Sequence, residues 1–119
     1  MRAELGALAA FRSFPEAALD DLAKLATAQD LAEGDVLFHD GDVGDAIFVV
    51  TAGEIEIRKG ERTLARLHPG QTVGEMALLE VQRRSADAFA NGRSRVLCLE
   101  RTSFASFLQE HPECGARFY

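Results

Sequence analysis

From Asp30 onward the chain is broken at short, roughly even intervals by turn-forming clusters: Ala32-Glu33-Gly34-Asp35, Asp40-Gly41-Asp42, Ala52-Gly53, Lys59-Gly60-Glu61 and His68-Pro69-Gly70. Glycine adopts backbone conformations that other residues resist, proline cannot continue a ladder, and aspartate bonds its own backbone, so each cluster ends one element and begins another. Only short strands fit between them, and many short strands at even spacing indicate a sandwich, jelly roll or small barrel. Glu54-Ile55-Glu56-Ile57-Arg58 alternates strictly, which directs Ile55 and Ile57 to a core and Glu54, Glu56 and Arg58 to water. The runs Val36-Leu37-Phe38, Ile47-Phe48-Val49-Val50 and Val96-Leu97-Cys98-Leu99 carry no polar alternation and read as more fully buried strands.

The two ends have a different period. Leu5, Leu8 and Phe11 fall on one helical face, and Leu19, Leu22, Leu25 and Ala26 form a second stripe after Ser13-Phe14-Pro15-Glu16. Ser13 and Glu16 match a capping box, with Pro15 in the first turn where it sacrifices no hydrogen bond. At the other end Thr102 or Ser103 is placed to cap a helix whose Phe104, Phe107 and Leu108 pack back on the sheet, with Pro112 limiting it. A length of 119 residues allows one compact domain with a real core, taken as 1–119. Its helices are expected at about 4–28, its strands at about 29–101, and its last helix at about 102–111.

Nineteen acidic residues against thirteen basic ones give a net charge of −6, which disfavours direct binding of nucleic acid or an anionic membrane. No apolar run is long enough to span a membrane and the first residues have no signal-peptide core, so a cytoplasmic location is expected. The richness in arginine and alanine suggests a bacterial source. Cys98 and Cys114 are too few for a disulfide framework or a metal cluster; Cys98 reads as a buried thiol and Cys114 as an exposed one. His39, His68 and His111 are widely separated, without the spacing of a metal-dependent cupin. Asp40 to Asp45 has too few spaced oxygen ligands for a calcium loop and reads as turn. No metal ligands and no catalytic residues are assigned.

One segment interrupts the strand rhythm. Residues 74–86 read Gly-Glu-Met-Ala-Leu-Leu-Glu-Val-Gln-Arg-Arg-Ser-Ala, and Glu75 to Glu80 are good helix formers without a β-branched residue. A short helix opening after Gly74 turns backbone N–H groups outward, a place for an anion. Arg84 follows, and its planar fork suits a phosphate, with Ser85 adding a hydroxyl and an N–H. Glu75 beside a phosphate would repel it unless the carboxylate had separate work, and accepting from a sugar hydroxyl is such work. The bland alternatives are a surface arginine paired with Glu75, Glu80 or Asp87, and a glutamate that merely favours a helix N-terminus. Arg83 reads as solvated, and Leu78 and Leu79 as packing residues.

The string Gly74-Glu75-Met76-Ala77-Leu78-Leu79, then four residues, then Arg84-Ser85-Ala86 resembles the phosphate-binding cassette of cyclic-nucleotide-binding domains, as found in catabolite-activator-type regulators, protein kinase A regulatory subunits and cyclic-nucleotide-gated channels. The N-terminal helices, the glycine-punctuated strands and the final helix extend the resemblance over nearly the whole chain. It implies a mainly β fold with flanking helices: a double-stranded β-helix, or jelly-roll-like β-roll, with N-terminal helices, a short cassette helix within 73–86 and a C-terminal helix. It also implies a regulatory, non-enzymatic module that binds a 3′,5′-cyclic nucleotide monophosphate, cAMP ahead of cGMP, with no cofactor. Transferred by position, Glu75 accepts from the ribose 2′-hydroxyl and Arg84 holds the cyclic phosphate. Gly74, Met76 and Ala77 bring backbone groups to the sugar and phosphate, Ser85 and Ala86 donate to the phosphate, and Ile57 and Leu64 line the wall for the base. The resemblance further implies a lid helix after the one holding Phe104 and Phe107, with Phe118 and Tyr119 as its stub or with a partner supplying it. The output would belong to a homodimer or a larger parent protein. Val81, Arg83 and Asp87 depart from the family's usual residues, and Val81 and Asp87 motivate a second reading, a degenerate β-roll that serves as an interaction or dimerisation domain without nucleotide.

Overall fold

A computed structural model of the protein describes residues 2–8, 11, 12, 14–74 and 82–115. Helices α1 (Arg2–Ala7) and α2 (Glu16–Leu25) precede ten strands: β1 (Thr27–Leu31), β2 (Val36–Phe38), β3 (Val43–Gly44), β4 (Ala46–Ala52), β5 (Ile55–Lys59), β6 (Arg62–Leu67), β7 (Thr72–Val73), β8 (Gln82–Arg83), β9 (Asp87–Ala90) and β10 (Ser94–Glu100). Helices α3 (Arg101–Glu110) and α4 (Pro112–Gly115) follow. The strands form two four-stranded antiparallel sheets, in the orders β1-β10-β4-β7 and β2-β9-β5-β6, with β3 and β8 pairing separately. The fold is therefore mainly β, a roll of antiparallel sheets with flanking helices.

Strands β4 and β10 explain the continuous apolar runs. They are the two central strands of the first sheet and are covered on both faces. Ile47, Val49, Leu97 and Leu99 pack outward against Leu5, Phe11, Leu22, Phe104 and Phe107 from the helices. Val50 and Val96 face inward with Leu31, Ile55, Ala88 and Ala90, and Phe38, Phe48 and Ile57 pack partly buried against them. A strand with protein on both sides has no polar face to alternate, and each fully buried Leu, Ile or Val contributes about 1.5–3 kcal/mol.

Several expectations change once the packing is in place. Val36 is 44% exposed because β2 is an edge strand, so its run is not fully buried. Glu56 is only 3% exposed although the alternation directs it to water. It lies on the outer face of β5, but Arg58 and Thr63 donate to its carboxylate and Arg66 approaches it within 3.7 Å, which covers it. Burial would raise the Glu56 pKa; those hydrogen bonds and charges outweigh it and hold the group below the ordinary carboxylate range. The cysteines differ from expectation: Cys114 is buried among the helices and Cys98 is only half-buried. Leu25, at the end of its stripe, is 36% exposed.

Helix caps also differ. Pro15, not Ser13, is the N-cap of α2, and Ser13 lies outside the described residues. Helix α3 starts one residue before Thr102, with Glu100 as N-cap and no side-chain cap. Its first N–H is satisfied instead by the carbonyl of Asp45, to which Arg101 donates at 2.8 Å. Strand β1 begins at Thr27, and Pro112 opens α4 after α3 has ended. No helix among the described residues is long and apolar enough to cross a membrane.

Candidate functional site

Arg84 occupies the crossover between β8 and β9, and its backbone is clipped to the turn after β2. Its N–H donates to the Asp42 carbonyl at 2.7 Å, and its own carbonyl accepts from Gly41 N–H at 2.8 Å. The turn is closed by its aspartate, since Asp42 Oδ2 accepts from His39 N–H at 2.9 Å. Three side chains reinforce the clip. Asp87 Oδ1 accepts from Asp40 N–H at 2.7 Å, an Arg83 nitrogen donates to the Gly41 carbonyl at 2.9 Å, and Lys59 Nζ donates to the Ser85 carbonyl at 3.0 Å. Asp87 is thus engaged by the turn backbone instead of competing for Arg84.

The guanidinium of Arg84 enters the opening between the two large sheets. It sits over the Phe38 ring at 4.5 Å and near the Phe48 ring at 5.7 Å, one aromatic from each sheet. Both faces are favourable for a cation through the ring quadrupole. Nη2 donates to the carbonyl of Ala46 at 2.8 Å, and that carbonyl is its one polar partner among the described residues. Burial pushes the Arg84 pKa down, opposed by the charges of Asp45, Cys98 and Asp42. Arginine stays protonated at this depth, so the result is a partly dehydrated fixed positive charge whose donor fork is only partly used among the described residues.

Gly74 makes that position possible. Its φ of +93° is the left-handed region, and a Cβ there would lie 2.6 Å from Arg84 Nη1 and 2.7 Å from the Ala46 carbonyl oxygen. Glycine is needed twice over, for the backbone turn after β7 and for the guanidinium that passes against it.

The remaining expected site residues divide by location. Ser85 is exposed and Ala86 buried, in the bend between Arg84 and β9. Ile57 is half-buried inside the roll, opposite Ala65 and Ala88. Leu64 falls at the bulge of the β5–β6 hairpin, skipped between Thr63 and Ala65, and is 50% exposed. Glu75, Met76 and Ala77, the expected helix at 75–80, Val81, Phe118 and Tyr119 lie outside the described residues. The structure also brings in groups that sequence reasoning did not assign: Phe38, Phe48, the Ala46 carbonyl, Lys59 and the Asp40–Asp42 turn. Phe38 and Phe48 look like core in any one-dimensional reading, and no local signal marks them as the seat of a cation 36 or more positions away.

The roll itself is the architecture of a known class. Residues 28–111 match the cyclic nucleotide-binding domain family. The chain is 35% identical over 85 residues to the cyclic AMP receptor protein of Thermus thermophilus, covering 67% of this chain and 39% of that protein. It is 34% identical over 80 residues to the cAMP-dependent protein kinase regulatory subunit of Hypocrea atroviridis, covering 67% of this chain and 17% of that one. Among solved structures, the N-terminal domain of a transcriptional regulator from Streptomyces coelicolor A3(2) superposes with a TM-score of 0.81 at 28% identity, over 97% of this chain and 84% of that one. The chain belongs to the cyclic nucleotide-binding domain family. It spans well under half the length of the curated relatives it matches.

Proposed function

We propose that this chain is a regulatory sensor module that binds a 3′,5′-cyclic nucleotide monophosphate and passes the event to its flanking helices. The observation that carries the reading is Arg84: a half-buried guanidinium, stacked on two rings and hung from one carbonyl, positioned to give its planar fork to a cyclic phosphate. Ser85 and Ala86 add donors beside it, and Glu75, with Gly74, Met76 and Ala77, would hold the ribose as the family resemblance implies. Ile57 and Leu64 would meet the base; an apolar side chain that is half exposed on a bulge, as Leu64 is, suits a stacking wall. cAMP is the favoured ligand, since both curated relatives described above carry cAMP in their names.

A short path of two hydrogen bonds, joined by the Asp45–Ala46 backbone, supports transmission. Arg84 bonds to the carbonyl of Ala46, and the preceding residue, Asp45, receives the first N–H of α3. A phosphate that draws Arg84 toward itself therefore loads the peptide that anchors α3, and α3 packs on α2. The ligand can do this only by binding one arrangement of those helices more tightly than another. A parent protein or a second copy would carry the output, and the module itself has no catalytic role in this scheme.

Calorimetric titration of the chain with cAMP and cGMP tests the reading. Saturable heat at micromolar ligand or tighter, with cAMP preferred, is expected; silence at millimolar concentrations of both would leave the degenerate interaction domain as the function. Glu75→Gln should weaken binding of cAMP more than binding of its 2′-deoxy analogue, and equal losses for the two would remove Glu75 from the ribose role.

A further inference from the structure

On the helical side, far in sequence from the cassette, α2 and the end of α3 bring Asp21, Glu110 and His111 together. One carboxylate oxygen from each acid and a ring nitrogen of His111 all lie within 4.8 Å of one another. His111 is positioned by its surroundings: its ring packs against Phe107 with centroids 4.9 Å apart, Nε2 is 2.9 Å from Asp21 Oδ2, and Nδ1 is 3.6 Å from Glu113 Oε1. Asp21 and Glu110 also line a cleft of about 350 Å³ between α2 and α3, which leaves the cluster open to solvent on one side.

We propose that Asp21, Glu110 and His111 form a three-ligand site for a borderline divalent ion of the zinc class, which staples α2 to the C-terminal end of α3. Imidazole nitrogen with two carboxylate oxygens is a donor set that zinc accepts and that magnesium, which wants six oxygens, does not favour. Bonds of about 2.0–2.2 Å in a tetrahedron require ligand atoms roughly 3.3 Å apart, so Asp21 and His111 must part slightly and Glu110 must close in. Glu110 is exposed and Asp21 half-buried, so these adjustments are side-chain rotations. Glu113 supplies the outer carboxylate that metal-bound histidines commonly use to fix the ring through the other nitrogen. The fourth position faces the cleft, open to water. Lys24 lines the same cleft and opposes a cation, which keeps affinity below that of a closed structural site. A spacing search misses this cluster because Asp21 and His111 are 90 positions apart.

The test is titration of the full chain with zinc chloride, followed by calorimetry and thermal melting, with magnesium chloride as the competing probe. One zinc per chain, a melting temperature raised by zinc and unmoved by magnesium, and at least tenfold weaker zinc binding in both Glu110→Gln and His111→Gln are expected. Unchanged zinc affinity in those variants, or loss of it in Cys98→Ser or Cys114→Ala, would overturn the site. If His111→Gln fails to fold, Glu110→Gln, altered at an exposed position, and Asp21→Asn decide by the same tenfold criterion.

Discussion

The two faces of β4 and β10 are made by alternating residues of the same two strands, yet they are packed in different ways. The outer face meets four phenylalanines, Phe11, Phe14, Phe104 and Phe107, several in ring contact with one another, together with leucines from every long helix. The inner face meets Leu31, Ile55, Ala88 and Ala90, while its own Phe48 and the facing Phe38 are only partly buried and carry the Arg84 guanidinium. One face is built for cohesion and the other for holding a charge. The difference teaches that cohesion and a fixed positive charge are held on opposite sides of one sheet, linked by the Ala46 and Asp45 peptides.

That contrast can be broken by substitution. Phe104→Ala should remove about 3–5 kcal/mol of stability, because a fully buried ring leaves a cavity that neighbouring helices fill only in part. Urea unfolding measures it, and a loss under about 1 kcal/mol would mean that the helices are not the cohesive side. Arg84→Ala should do the reverse: nucleotide affinity falls by about 2–4 kcal/mol while stability moves by less than about 1 kcal/mol. Equal affinity of the variant and the parent chain in calorimetry would detach Arg84 from the ligand.

Gly74→Ala lies between the two cases. Its backbone strain and the collision with Arg84 and Ala46 should cost about 1–3 kcal/mol and also misplace the guanidinium, so both readouts should decline together. A loss in unfolding alone would show that Gly74 serves only the turn.

The smallest effect is on the helical side and depends on pH. The hydrogen bond and charge of Asp21 on α2, with Glu113 on α4, raise the His111 pKa above its ordinary value; Glu110 also faces it. A raised histidine pKa favours the folded state when the ring is protonated. The contribution is present below the ordinary histidine pKa and is lost as pH rises through the folded value. The melting temperature of the parent chain relative to His111→Gln should therefore shrink as pH increases from about 5.5 to 8.5. A gap that widened with pH would reverse the assignment of His111.

Much of the fold was legible one residue at a time. The turn clusters, the hairpin around Gly60, the apolar runs of β4 and β10 and the helical stripes at both ends depend on local chemistry and period. The spacing of the cassette singled out Gly74 and Arg84, and the fold brings the two into contact. What could not be read were facts of contact. Glu56 is buried because arginines from its own strand and the next fold over it, and Cys114 is buried because α3 and α4 return it to the helices. Val36 is exposed because its strand is an edge.

By itself, then, the sequence determined where most of the turns fall, where the long strands and the helical ends lie, and that a guanidinium would stand nine positions after Glu75. Period and turn chemistry act over a few residues and need no partner. Only the tertiary structure decided that this guanidinium rests on Phe38 and Phe48, hangs from Ala46 and is clipped by the Asp40–Asp42 turn, and that Asp21 meets His111. Those contacts join positions tens of residues apart, and packing of sheets and helices is the force that chooses them.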